Sequence, residues 1–200
     1  MSKENNWIKS IAKGDEYALE KLYNEYSSKI YNTAIGYTKS VEDAEEVLQD
    51  VFVTIFSTAS KFRFDAKVST WIYRIAVNKS LDFLRKKSSQ KRQGIFTSIF
   101  KSGTTEILHE SVDFVHPGVK LENQENAKLL FSVIDGLAEN QKTAFILTQM
   151  EGLPQNEVAE IMKISRKAVE SLLQRAKSNL RVALEKYYPE RGKHFKNTTK

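Results

Sequence analysis

Seven residues between positions 166 and 177 carry side chains able to hydrogen-bond to nucleic acid: Arg166, Lys167, Glu170, Ser171, Gln174, Arg175 and Lys177. Val169, Leu172, Leu173, Ala176 and Leu180 fall between them at i, i+3, i+4, i+7 and i+11, so the stretch reads as a helix with one apolar face and one polar, mostly cationic face. A cationic helix on a small apolar support is the geometry that enters the DNA major groove, where such side chains reach phosphates and base edges.

The support has to come from the residues just upstream. Leu153, Val158, Ala159, Met162 and Ile164 supply the apolar side of a preceding helix, and Ala159 is small where two helices would cross. Ser165 stands where an N-cap is wanted, its hydroxyl placed to accept from first-turn N–H groups. The turn position held by Lys163 calls for a left-handed residue, where glycine is free and lysine costs about 1 kcal/mol. The expectation is therefore a turn of slightly different build. Paired helices with a short turn also occur as plain helical packing; the basic face favours DNA, because a solvated face is usually mixed in sign.

Charge is distributed in blocks. The 200-residue chain has a net charge of +6. Residues 61–101 hold eleven Lys/Arg against two Asp/Glu, and 163–200 hold eleven against three. Between them, 102–162 hold three against ten, and 1–60 hold six against ten. Two basic blocks separated by an acidic one imply two polyanion contacts on one chain. Cysteine is absent, which excludes disulfides and thiolate metal sites and suits a reducing cytoplasm. The opening MSKENNWIKS lacks an apolar signal core, and no run approaches the ~18 apolar residues of a membrane span. A soluble, intracellular protein without membrane insertion is expected.

The elements that must position these blocks read as helices almost throughout. Pro117, Pro154 and Pro189 each fall at a boundary. A short helix is predicted over Asn6–Ala12 and a long one from Glu16 to about Thr38, with Leu19, Leu22, Tyr23, Tyr26, Ile30 and Ala34 at helical spacing. Ser40 caps a third helix, with Asp43 at N3 in a capping-box arrangement. That helix runs to about Ser60 on a stripe of Val47, Leu48, Val51, Phe52, Ile55 and Phe56. A loop is predicted over 61–68, then a helix from Ser69 to Lys87 carrying Trp71, Ile72, Ile75, Ala76, Leu81 and Leu84. Periodicity fails from Ser88 to about Asn123, which reads as a flexible linker. Helices resume over Glu125–Gly136 and Glu139–Met150, ahead of the pair around Lys163. The architecture expected is all-α: two helical domains on a tether.

Three stretches carry a resemblance to a known family. Residues 43–52, DAEEVLQDVF, resemble the second conserved region of bacterial sigma factors, and residues 69–85, STWIYRIAVNKSLDFLR, resemble the helix that follows it. Residues 137–145, LAENQKTAF, with Gly152-Leu153-Pro154 and the helix pair, resemble the fourth region. In order and separation the chain resembles the small, two-domain extracytoplasmic-function (ECF) group of the sigma-70 superfamily, over about residues 7–92 and 125–187. The resemblance implies a region 2 domain over 1–92, a linker over 93–124, a region 4 domain with a helix-turn-helix over 125–188 and a basic tail over 189–200.

Members of this family bind core RNA polymerase and carry it to promoters. The first domain reads and opens the −10 element, and the second reads the −35 element. By that resemblance Asp43, Glu46, Gln49, Asp50 and Val53, opposite the core stripe of their helix, dock on the coiled coil of the polymerase's largest subunit; the second domain is expected on its flap. The plain alternative for the acidic residues is a solvated face with favourable charges near a helix N-terminus. The −10 contacts are expected at Phe62, Arg63, Phe64, Lys67, Asn78, Lys79 and Arg85. Aromatic rings can stack on an unpaired base while cations follow the phosphates, and an asparagine can pair with an exposed base edge. The alternative is that Phe62 and Phe64 cap the core and Asn78 is a buried, satisfied amide. Trp71 reads as core rather than as a melting wedge. The −35 contacts fall on Arg166, Lys167, Glu170, Ser171, Gln174, Arg175 and Lys177. Glu170 and Leu172 stand where many members have a basic residue and an arginine; Ala138 and Lys142 replace the usual proline and arginine. An anti-sigma factor is typical of the group.

No catalytic constellation competes. His109, His116 and His194 lack metal-ligand spacing, phosphate-cradling glycine loops are missing, and the carboxylates lie along a helix face rather than in a pocket. Neither metal nor cofactor is expected, and the chain reads as a non-catalytic specificity subunit. Two other readings compete with a sigma factor: a regulator binding duplex DNA alone through the C-terminal helix pair, and a helical adaptor whose first domain only binds protein.

Overall fold

The computed structural model describes residues 2–99 and 124–188, and side chains over 2–90 and 129–188. Every regular element in those residues is helical. The chain forms two units, 1–114 and 115–200, each with its own core.

Unit 1 holds α1 (Lys3–Ile11), α2 (Glu16–Thr38), α3 (Val41–Thr58), a 3-10 turn (Ala59–Lys61) and α4 (Val68–Ile99). Its starts are set by short polar caps: Ser2 Oγ accepts from the Asn5 N–H at 3.2 Å, Asp15 Oδ1 from Ala18 at 3.1 Å, and Ser40 Oγ from Asp43 at 3.3 Å. The expected cap at Ser40 forms, but the Asp43 carboxylate goes to Lys87 of α4. Helices α2, α3 and α4 pack on one another, and α1 lies on α2 and the 3-10 turn. Leu22, Ile30, Val51, Ile55 and Ile72 are fully buried between them, each contributing about 1.5–3 kcal/mol. The expected stripes hold at Leu22, Tyr26, Ile30 and Ala34 and over Val47–Ile55, whereas Tyr23 and Phe56 stay exposed at the edges. On α4 the buried face is Val68, Ile72, Tyr73, Ala76, Val77 and Ser80, one step around from the face predicted.

Helix α4 continues to Ile99, twelve residues past its expected end at Lys87 and into the segment read as linker. Once nucleated, a helix needs only its own backbone bonds to elongate: Gln90, Lys91, Arg92 and Gln93 are good helix formers, and Ile95, Phe96 and Ile99 beyond Gly94 are too few to give the periodic stripe that would mark a helix in the sequence. Residues 100–123 of the expected linker and the tail from 189 lie outside the described residues.

Unit 2 holds α5 (Gln124–Asp135), α6 (Glu139–Phe145) leading into a π-helical turn (Ile146–Met150), α7 (Gln155–Met162) and α8 (Arg166–Glu185). Helices α5, α6 and α7 all pack on α8. Val133, Ile134, Leu137, Ala176 and Leu180 form one core cluster, and Val158, Ala159, Ile161, Val169 and Leu173 are buried as well. The Lys142 ammonium, buried at the foot of α6, is held 2.8 Å from Asp135 Oδ1. Ser165 caps α8 as expected, accepting from the Ala168 N–H at 3.1 Å. Lys163 itself adopts the left-handed conformation (φ 55, ψ 41), so the turn is the ordinary one rather than a variant. The Lys163 and Ile164 N–H groups reach back to the Glu160 and Ala159 carbonyls at 3.3 and 3.0 Å. Closing both helix-end carbonyls in this Schellman arrangement offsets the cost of a Cβ at positive φ.

Candidate nucleic-acid interface

In unit 1 the basic block becomes a loop and one face of α4. Phe62 stacks on Trp71 with ring centroids 4.8 Å apart and 28° between planes. Its other neighbour is Phe64, edge-on at 4.8 Å and 65°. The three rings form a short ladder: Trp71 and Phe62 are half-buried, and Phe64 is the exposed end. Phe64 takes φ 60, a conformation rare for a bulky residue. Arg63 and Lys67 are exposed beside it, Arg63 paired with Asp65 at 2.9 Å.

Asn78 lies seven residues beyond Trp71 on α4, hence on nearly the same helix face and about 10.5 Å along the axis. It is exposed, so the buried-amide alternative does not hold. Arg74 falls between them at i+3 from Trp71 and i−4 from Asn78, and Arg85 follows seven residues after Asn78, next to Asp82 at 3.3 Å. Arg74, not among the expected contacts, shares this face by that spacing and is half-buried. Lys79 departs from this face: it turns toward α3, with Nζ 3.8 Å from Asp50 Oδ2.

The acidic residues of α3 divide in the same way. Glu46, Gln49, Asp50 and Val53 are exposed, and Val53 is 66% exposed, more than a valine with a packing role would be. Asp43 is different: its carboxylate is 2.6 Å from Lys87 Nζ and only 17% exposed. It fastens α3 to α4 and is the least accessible of the five.

In unit 2 six of the seven polar residues named on α8 fall on two strips. Glu170, Gln174 and Lys177, at i, i+4 and i+7, line a groove of about 380 Å³ together with Thr148, Gln149, Leu153, Pro154, Gln155 and Leu173. Lys167, Ser171 and Arg175, at i, i+4 and i+8, form the second strip, where Arg175 Nη2 donates to Ser171 Oγ at 3.0 Å. Arg166 is exposed at the first turn of α8. Thr148, Gln149 and Gln155 had not been expected near this face; they come from the π turn and the start of α7, which only folding brings to α8. Among the described residues no cluster of His, Asp or Glu could hold a metal ion, and no helix is long and apolar enough to cross a membrane.

Comparison with known proteins agrees with this layout. The model of sigma-70 region 2 matches residues 22–90, and that of sigma-70 region 4 matches residues 128–180. The ECF RNA polymerase sigma factor SigW of Bacillus subtilis (strain 168) is 28% identical over 180 residues, spanning 88% of this chain and 94% of that protein. The ECF RNA polymerase sigma-E factor of Escherichia coli (strain K12) is 29% identical over 174 residues, spanning 85% and 88%. The fold is shared with CnrH, solved in complex with the cytosolic domain of CnrY (TM-score 0.66, 21% identity, 92% of this chain and 98% of that one). It is shared too with RpoE, solved with the anti-sigma factor NepR from Bartonella quintana (TM-score 0.63, 19% identity, 83% and 96%). Two region models in sequence order, on two separate helical units, have one common source: the chain belongs to the ECF group of the sigma-70 superfamily of RNA polymerase sigma factors.

Proposed function

We propose that this chain is an alternative sigma factor whose two basic faces divide promoter recognition between them, while the acidic face of α3 holds core RNA polymerase. In unit 1 an unpaired base stacks on the exposed end of the Trp71–Phe62–Phe64 ladder, and Asn78 reads a base edge two helical turns away. Arg63, Lys67, Arg85 and, from the α3 side, Lys79 follow the phosphates. Glu46, Gln49, Asp50 and Val53 present acidic and apolar surface to the largest subunit's coiled coil. Asp43 acts there mainly by fixing α3 against α4. In unit 2, α8 enters the major groove of the −35 element. Lys167, Arg175 and Arg166 meet backbone and bases, and Glu170 is placed to accept from a cytosine amino group. The chain contributes specificity to polymerase rather than catalysis of its own, and it works in the bacterial cytoplasm where polymerase is. An anti-sigma partner covering one of these faces fits the fold neighbours, one of which was solved with the anti-sigma factor NepR.

The observation that carries this reading is the exposed aromatic end of the loop on the same helix face as an exposed asparagine, in the unit that matches region 2. Transcription in vitro with core polymerase, with and without the protein, on a library of upstream regions tests it. Initiation from a shared subset of templates only when the protein is present is expected. Failure to bind core polymerase together with tight binding to duplex DNA alone would point to a stand-alone regulator instead.

A further inference from the structure

Helix α1 sits outside the residues matched by region 2, yet it reaches the loop read above as the base-capturing element. It is anchored at two points. Ile8 and Ile11 are buried against the rest of unit 1, and Tyr26 of α2 donates a hydrogen bond to the Glu4 carboxylate. That anchoring puts Lys9, between the two buried isoleucines, at the loop: its ammonium lies over the Phe64 ring, 5.4 Å from the centroid. The Lys9 cation is a second contact on the Phe64 ring, beyond the edge-on contact with Phe62. The Phe64 backbone is left-handed at φ 60, which disfavours an aromatic residue, and its ring is the most exposed of the ladder. Phe62, by contrast, is held on Trp71.

We propose that Lys9 is a positioning residue for promoter opening: its cation holds the Phe64 ring in place, so that loop 62–67 presents its aromatic end before single-stranded DNA arrives. The gain is preorganisation, because a loop already ordered loses less freedom when the base stacks. This rests on the base-capture reading of the loop, and the test separates the two.

The full-length protein bound to core polymerase is titrated with a single-stranded oligonucleotide carrying the non-template −10 sequence of a promoter it serves. Lys9→Gln is expected to weaken that binding about two- to five-fold, the range of an exposed cation–π contact, with core affinity unchanged. Lys9→Arg, which keeps a cation for the ring, restores it. The dependence of affinity on salt keeps its slope in Lys9→Gln, because Lys9 acts through Phe64 and touches no phosphate. In the Phe64→Ala background Lys9→Gln costs nothing further. Full binding by Lys9→Gln beside a loss in Phe64→Ala overturns the positioning role and leaves base capture standing. A salt slope lowered by about one unit in Lys9→Gln also overturns it, since that marks a direct phosphate contact. No loss in either variant removes the base-capture reading and the role of Lys9 with it.

Discussion

Lys79 of α4 reaches across to Asp50 of α3, Nζ to Oδ2 3.8 Å, and so ties a residue expected on promoter DNA to one expected on polymerase. Asp50 is largely in solvent at 61% exposure and Lys79 keeps a third of its side chain exposed, so the long 3.8 Å pair adds at most about 1 kcal/mol to the fold and each partner can be recruited elsewhere. The two should therefore separate by function. Asp50→Asn is expected to weaken the complex with core polymerase several-fold. Lys79→Ala should leave that complex intact while lowering promoter affinity and reducing the salt slope by about one. Fluorescence titration with core enzyme and promoter fragments checks both; equal losses of core affinity in the two variants would contradict the division.

Removing the ladder and the asparagine together should block opening without blocking assembly. Phe62→Ala with Asn78→Ala deletes a ring that carries Phe64 and the exposed amide on the same helix face. Stacking on a protein ring is worth about 1–3 kcal/mol per base, so open-complex formation is expected to fall roughly 10- to 100-fold. Permanganate reactivity of unpaired thymines around the start site reads this directly. Unchanged reactivity, with polymerase bound, would remove the melting role from the loop.

On α8 the two strips predict two kinds of defect. Arg175→Ala should weaken upstream-element binding for all sequences alike and lower the salt slope by about one. Glu170→Gln, in the groove with Gln174 and Lys177, should instead change preference at one base pair by about 1–3 kcal/mol while leaving the slope unchanged. Binding to a set of single-base variants of the −35 element distinguishes the two.

Tyr26 links α1 to alkaline stability. Burial, then its hydrogen bond to Glu4 and the charges of Glu4, Glu25 and Tyr73, raise the phenol well above its ordinary value of 10.0. A raised value means that the folded state keeps a proton the unfolded state gives up. The contribution is thus whole below pH 10 and is lost as pH rises beyond it. Tyr26→Phe should cost about 1 kcal/mol at neutral pH and flatten the decline of stability above pH 10. Trp7 and Trp71 both belong to unit 1, so tryptophan fluorescence during urea unfolding follows the correct unit. An equally steep decline in Tyr26→Phe would refute the linkage.

Much of this protein was legible in one dimension. The all-α class, the caps at Ser40 and Ser165, the α3 core stripe and the basic face of α8 are local properties. Each depends on residues no more than a few turns apart, where apolar spacing and hydrogen-bonding side chains act through the helix itself. The same locality explains the misses. The continuation of α4 to Ile99 left only a broken apolar pattern, with Ile95, Phe96 and Ile99 coming after six polar residues and Gly94, because a helix elongates on its backbone bonds without needing a continuous stripe. The left-handed Lys163 was misjudged because its cost is offset by bonds to Ala159 and Glu160 that exist only once the turn has closed. What the tertiary structure alone decided is which distant residues meet: Lys9 with Phe64, Asp43 with Lys87, Asp50 with Lys79, and Thr148 and Gln155 with α8. These meetings are set by how the buried faces of separate helices pack, and packing depends on three-dimensional fit that spacing along the chain does not encode.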